Sequence, residues 1–417
     1  MENTRTNPVR LLRERGCWKQ CTDEQGAEEY LSSPGAKVYI GFDCTAPSLH
    51  AGSLTQLMAL RFMQAAGVTP IVLIGGGTTR IGDPSGKTEA RRMLSDEAIA
   101  ENKRGIERVV KKILRPAPEP IFVDNADWLD KLGYIELLRA VGSHFSVNRM
   151  LSFDSVKLRL EREQSLSFLE FNYMVLQAYD FVELYNRYGC RMQMGGSDQW
   201  GNIVCGVELH RRMTAGAGEP LYGLTAELLT TADGKKMGKT EKGAVWLDAE
   251  LCSPYDYWQY WRNAHDGDVR RFLLLFTELS EQDIDAALGE GGARINDAKI
   301  LLATEATRLC HGPKEAEKAK ATAAALFAGG NAPAEGAPEW RVAKEEIETV
   351  PVFKALAASG LCAGSGEARR QIKGGGVKMG GMRVEDENAL LSLSFADASG
   401  RIPLSVGKKR HCFVVTQ

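Results

Sequence analysis

Long apolar runs are absent from this 417-residue chain. None approaches the roughly 18 residues that a membrane-spanning helix requires, so neither a helical membrane protein nor a membrane partner is expected. The opening stretch MENTRTNPVRLLRERG has no apolar centre of the kind a secretory signal carries and contains Glu2 and Glu14, so such a signal is not expected. Its arginines leave a mitochondrial transit reading open beside the cytoplasmic one. The nine cysteines, an odd number, are scattered singly, and only Cys17 and Cys21 stand close together. No second pair completes a zinc site, so reduced thiols in the cytoplasm are expected, without a fixed metal.

A dominant charge is lacking too, because the formal net charge is only −2. Its distribution is more informative than its sum. Residues 351–417 hold ten Lys and Arg against five acids, a local excess of +5 offset by −7 elsewhere. That asymmetry points to an anionic partner for the C-terminal region. What is present, 44% hydrophobic and 25% charged residues, is the composition of a soluble globular chain of two or three domains.

Three apolar segments read as buried strands that end in glycine loops: KVYIGFD (37–43), PIVLIGGG (70–77) and CRMQMGGSDQWGN (190–202). Each leads into a helical pattern. In LTQLMALRFMQAAG (54–67), Leu54, Leu57, Met58 and Phe62 share one face. Strands alternating with helices predict an α/β fold around a Rossmann-like parallel sheet, whose ligands bind beyond the carboxyl ends of the strands. From about Asp248 to Phe327 the pattern is helical, opening with Ser253 as cap and Pro254 in the first turn of SPYDYWQYW. AGGNAPAEGAP (328–338) has linker composition. The expected organisation is a catalytic domain (1–247), a helical domain (248–327), a linker (328–349) and a small α+β domain (350–417).

Two loops carry candidate chemistry. SLHAGSLTQL (48–57) places His50 and Gly52 between a strand and a helix. TTADGKKMGKTEKGAVW (230–246) sets Lys235, Lys236, Lys239, Thr240 and Lys242 among Gly234, Gly238 and Gly243. Mobile backbone and lysine charge suit closure onto a polyphosphate, although the order KMGKT is not that of a Walker loop. In GGSDQWGN, Ser197 is a candidate N-cap for the following helix.

HAGS and KMGKT, about 185 residues apart, resemble the HIGH and KMSKS signatures of class I aminoacyl-tRNA synthetases. YIGFDCTAPSLHAGSL, GDPSGKTEARR (82–92), HFSVNRM (144–150), FNYMVLQAYDF (171–181) and MQMGGSDQWGN (192–202) narrow the resemblance to bacterial-type tyrosyl-tRNA synthetases, from about residue 30 to the C-terminus. The resemblance implies a tyrosine–tRNA ligase that uses ATP with Mg²⁺, acts on L-tyrosine and tRNA(Tyr), and forms a homodimer through its first domain.

By position, the resemblance implies that Thr45 and His50 contact the departing phosphates. Lys87, Arg91, Lys236, Lys239 and Thr240 would close over them. Asp43, Gly52, Ser53, Gly196, Asp198 and Lys239 would belong to the ATP site. Tyr39 and Asp180 would hydrogen-bond the substrate phenol, Asp83, Tyr173 and Gln177 would hold its ammonium, and Gln199 would orient its carboxylate. Tyr173, Gln177 and Asp180 stand at i, i+4 and i+7, one stripe of a helix. The tail SGLCAGSGEARRQIKGGGVKMGGMRV (359–384) resembles an S4-like RNA-binding module, with Arg369, Arg370, Lys373, Lys408, Lys409 and Arg410 as expected phosphate contacts. Two departures stand out. Ser53 replaces the second histidine of the HIGH signature, and an arginine usual near Ser365–Gly366 is missing.

Overall fold

The apolar runs expected as strands form the centre of a six-stranded sheet in a computed structural model that describes residues 7–85, 93–230, 237–240, 243–292, 294–327, 338–397, 399–407 and 410–417. The strands are β1 (Gln20–Cys21), β2 (Lys37–Asp43), β3 (Thr69–Gly75), β4 (Ile121–Asp124), β5 (Met192–Gly196) and β6 (Tyr222–Ala226), in the order β1-β6-β5-β2-β3-β4. Only β1 is antiparallel to its neighbour. The order reverses at β2: β3 and β4 build outward on one side, β5 and β6 on the other. Such a switch point leaves a crevice beyond the carboxyl ends of the strands.

Helices Leu54–Ala65, Asp96–Ile113, Phe168–Tyr188 and Trp200–Met213 connect the parallel strands. The first is buried on more than the expected stripe, since Ala59, Leu60 and Met63 are covered as well. The helix Pro8–Glu14 and the helix Val269–Phe276 pack against it from outside. Helix Phe168–Tyr188 starts at a capping box, in which Ser167 Oγ accepts from the Glu170 amide while Glu170 accepts from the Ser167 amide. It ends at Gly189 in the left-handed region (φ 65°). Ser197 does not cap the following helix. That helix opens through a 3-10 turn, Ser197–Gln199, without a side-chain cap.

The chain divides into two compact units, residues 1–251 with 265–293, and residues 252–264 with 294–417. The helices Val269–Phe276 and Glu281–Leu288, expected in the helical domain, therefore belong with the sheet. Phe272, Leu273 and Phe276 are buried there, and Glu278 takes ion pairs from Arg61 and Arg115.

In the second unit, Ser253 caps the helix Pro254–Arg262 as expected, accepting from the Asp256 amide. Tyr257 and Trp261 of this helix are fully buried. A five-stranded sheet runs β11 (Met382–Arg383), β10 (Val377–Met379), β12 (Ile402–Val406), β13 (Arg410–Thr416), β9 (Glu339–Val342). Strand β9 lies inside the stretch expected as linker. It pairs in parallel with β13, and Val342 joins the apolar core of this sheet. Two further short strands of the first unit, β7 (Lys239–Thr240) and β8 (Gly243–Ala244), form an antiparallel pair.

Candidate active site

The carboxyl ends of β2, β3 and β5 open into a cleft of about 320 Å³. Eleven of the sequence-predicted residues line it: Tyr39, Asp43, Thr45, His50, Ser53, Asp83, Tyr173, Gln177, Asp180, Asp198 and Gln199. Gly52 and Gly196 are not among its lining residues. Lys87, Arg91 and Lys236, with Lys408 and Lys409 of the tail, lie outside the described residues. Lys239 and Thr240 are placed by their backbone in β7.

At the bottom of the cleft Asp180 is only 2% exposed. Its carboxylate accepts from Asn125 Nδ2 at 2.9 Å and from Trp128 Nε1 at 2.8 Å. Burial pushes its pKa up to about 8, against these two hydrogen bonds that favour the charged form. Tyr39, fully buried on β2, meets Phe181 edge-on with ring centroids 5.1 Å apart. The Tyr39 hydroxyl has no protein partner, and burial followed by the nearby Asp180 carboxyl raises its pKa well above the ordinary range. A buried hydroxyl left unpaired is costly, which makes it a receptor for a polar group brought by a ligand. The Gln193 side-chain oxygen, on the strand beside it, is likewise buried and unpaired.

Higher in the cleft a second network holds the groups expected around an ammonium. Tyr173 donates to Asp43 Oδ2 at 3.0 Å, and Thr78 donates to Asp43 Oδ1 at 2.8 Å. Asp43, assigned from sequence to the ATP site, thus touches the side chains of the amino-acid pocket. Gln199 donates to Asp83 at 2.7 Å. The Asn202 amide donates to Gln177 at 2.9 Å and to Gln199 at 3.3 Å, tying the two together. Thr78, Asn125, Trp128, Gln193 and Asn202 were not singled out from sequence. Each is an ordinary polar or aromatic residue next to an element end, and only its neighbours across the fold mark it.

The HIGH-like and KMSKS-like segments meet at the mouth. Ala51 donates to the Val245 carbonyl at 2.8 Å, and Leu247 to the Leu49 carbonyl at 2.9 Å, so 49–51 and 245–247 run as an antiparallel bridge. His50 Nδ1 accepts from the Gly52 amide at 3.0 Å, which fixes the imidazole beside Trp246. A β-carbon on Gly52 would lie 2.8 Å from the Met237 carbonyl oxygen and from His50, and one on Gly196 would lie 2.8 Å from Asp198. Gly52 is therefore required by packing against the Met237 backbone, whereas at Gly196 the Asp198 carboxylate can turn aside.

Of the tail residues, Arg369 stacks over the Phe353 ring at 4.1 Å, Lys373 pairs with Glu387, and Arg410 pairs with Glu367. Arg369, Arg370 and Lys373 all stand on the helix Ser365–Lys373, as expected, ahead of a glycine turn.

A sheet switch-point cleft entered by a His-x-Gly loop tied to a KMGKT arm defines the architecture of a class I aminoacyl-tRNA synthetase. The family model for tRNA synthetases class I (W and Y) matches residues 33–328. A tyrosine–tRNA ligase of Xanthobacter autotrophicus is 55% identical over 408 residues, covering 98% of this chain and 97% of that protein. One from Zymomonas mobilis is 53% identical over 414 residues, with 99% and 98% covered. Among solved structures, a C-terminally truncated mitochondrial tyrosyl-tRNA synthetase of Aspergillus nidulans superposes with a TM-score of 0.70 at 29% identity, covering 78% of this chain and 96% of that one. The Archaeoglobus fulgidus tyrosyl-tRNA synthetase complexed with L-tyrosine shares the fold, with a TM-score of 0.56 at 17% identity over 75% of this chain and 99% of that one. The chain belongs to the tyrosine–tRNA ligase family.

Proposed function

We propose that this protein activates L-tyrosine with ATP and transfers the tyrosyl group to the 3′-terminal adenosine of tRNA(Tyr). The tyrosine carboxylate oxygen attacks the α-phosphorus as the bond to the β-phosphate breaks, yielding tyrosyl-adenylate and pyrophosphate. A hydroxyl of the terminal ribose then attacks the adenylate carbonyl, loses its proton and displaces AMP. No covalent intermediate with the protein is needed, so positioning and charge stabilisation carry the catalysis.

The observation that carries this reading is the pairing of Tyr39 and Asp180 at the cleft floor, an unpartnered buried hydroxyl beside a buried carboxyl. A phenol hydroxyl inserted there supplies the missing partner of the Tyr39 hydroxyl and adds one to Asp180, whereas phenylalanine would leave the Tyr39 hydroxyl unpaired. In this reading Asp83, Tyr173 and Gln177 bind the ammonium and Gln199 orients the carboxylate. Asp198 and Ser53 meet the ribose, while Thr45 and His50 meet the β- and γ-phosphates. Lys87, Arg91, Lys236, Lys239 and Thr240 close over the same phosphates, as the resemblance implies. Mg²⁺ enters on the phosphates of ATP as part of that substrate.

The helical segment and the C-terminal module, with its +5 excess, take the tRNA, by stacking and edge contacts in the first and phosphate contacts in the second. Nine of the sixteen exposed large apolar side chains among the described residues fall between Tyr134 and Leu169. That concentration supports a homodimer through the first unit. Among the described residues no helix is long and apolar enough to cross a membrane, and we place the enzyme in the cytoplasm. ATP–pyrophosphate exchange measured with each of the twenty amino acids tests the reading. Exchange with tyrosine alone is expected, and exchange with tryptophan instead of tyrosine would refute it.

A further inference from the structure

We infer that Gly238 is a positioning residue, which seats the KMGKT arm on the backbone of Gly52 and thereby holds the His50 imidazole in place. Gly238 has a φ of 86°, in the left-handed region that side chains rarely adopt. Space closes the position further. A β-carbon there would lie 2.4 Å from the Gly52 amide nitrogen and 3.0 Å from His50 Nδ1. The contact is reciprocal, because a β-carbon on Gly52 would strike the Met237 carbonyl and the same imidazole.

Two glycines thus abut, and the histidine ring occupies the corner between them. The Gly52 amide that a side chain at 238 would strike is also the donor that orients His50 Nδ1. Directly after this joint, the Gly238 carbonyl accepts from Val245 at 3.0 Å, and the Val245 carbonyl accepts from Ala51 at 2.8 Å. Displacing Gly238 therefore pulls on the bridge between the arm and the HIGH-like loop. Gly243 offers the natural contrast on the same arm: its φ is 112°, but a β-carbon there meets nothing within 4 Å.

The inference rests on the ligase reading for its catalytic consequence and on the fold alone for its structural one. Three variants separate the terms. Gly243→Ala carries the strain of a positive φ without a contact. Gly238→Asn tolerates positive φ but still brings a β-carbon. Gly238→Ala brings both. Tyrosine binding without ATP, read by fluorescence titration, is expected to stay within about twofold of the parent in all three, because the cleft floor is untouched. The rate of tyrosyl-adenylate formation at saturating substrates is expected to fall roughly 30-fold or more in both Gly238 variants and several-fold at most in Gly243→Ala.

Hydrogen exchange of the Ala51 amide supplies a readout that needs no substrate. It is expected to quicken in Gly238→Ala and Gly238→Asn and not in Gly243→Ala. Parent-like rates and exchange in Gly238→Ala would overturn the inference, as would a parent-like Gly238→Asn beside a crippled Gly238→Ala. Loss of tyrosine binding in the Gly238 variants would also overturn it, by showing general damage. A parent chain inert toward tyrosine would instead refute the ligase reading, and amide exchange would still decide the joint.

Discussion

Replacing Asp180 by Asn is expected to change how the stability of the protein responds to pH, by an amount the cleft floor allows to be worked out. Asp180 titrates ordinarily at 3.8 and is pushed up to about 8 in the folded chain, chiefly by burial. Between those values the folded protein keeps a proton that the unfolded chain has released. Stability then falls as pH rises through the window, by up to about 1.4 kcal/mol per pH unit, and levels off above pH 8. From pH 5 to pH 8 the parent loses on the order of 4 kcal/mol through this one group.

Asp180→Asn has no such titration, but it carries a pH-independent cost. Both carboxylate oxygens accept a side-chain N–H, and Asn125 cannot turn its amide because its own oxygen accepts from the Gly77 amide at 2.8 Å. The new amide NH₂ therefore faces a donor, at a cost of about 1–3 kcal/mol. The expected outcome is a variant that is relatively weak in acid and gains about 4 kcal/mol on the parent between pH 5 and pH 8. Urea unfolding of both proteins, without tyrosine, at pH 5, 6.5 and 8 measures it, since titrations common to both cancel in the difference. A difference constant to within about 1 kcal/mol across that range would refute the assignment of Asp180 as a proton-holding group.

Three further outcomes are expected. Ser53→Ala lowers pyrophosphate exchange only roughly 2- to 10-fold, the worth of one neutral hydrogen bond, whereas His50→Ala costs about 100-fold or more; equal losses would contradict the separate roles. Gly105→Ala, whose β-carbon would lie 1.9 Å from the Pro47 carbonyl oxygen, should cost about 1–3 kcal/mol in thermal or urea unfolding. The double change Ile135→Glu with Phe168→Glu places two charges on the exposed apolar surface of residues 134–169. If the proposed homodimer forms through it, light scattering is expected to show a halved mass, and a dimer mass retained by the variant would exclude that surface as the contact.

Much of the sheet was legible because its strands are buried on both faces and read as continuous apolar runs. β2 was expected at 37–43 and spans Lys37–Asp43. β4 and β6 gave less signal: IFVD and YGLTA are short, and nothing in them separates a strand from a loop edge. The excursion of residues 265–293 back to the first unit was illegible, because a helix such as VRRFLLLF shows which face is apolar and not which core it meets. The linker boundary failed for a related reason, since pairing of β9 with β13 joins segments about 70 residues apart.

The sequence alone determined the chemistry on offer: a histidine and glycine before a helix, a lysine-rich arm, and Tyr, Gln and Asp along one helical stripe. These are local patterns, set by spacing along one element, and they carry their meaning wherever the chain goes. Tertiary structure decided which groups share a hydrogen bond. Asp180 finds Asn125 and Trp128 at separations of 55 and 52 residues, and Gly238 finds Gly52 across the arm. Such contacts depend on how the strands are ordered and how closely two backbones approach. Neither quantity is written in the local run of residues.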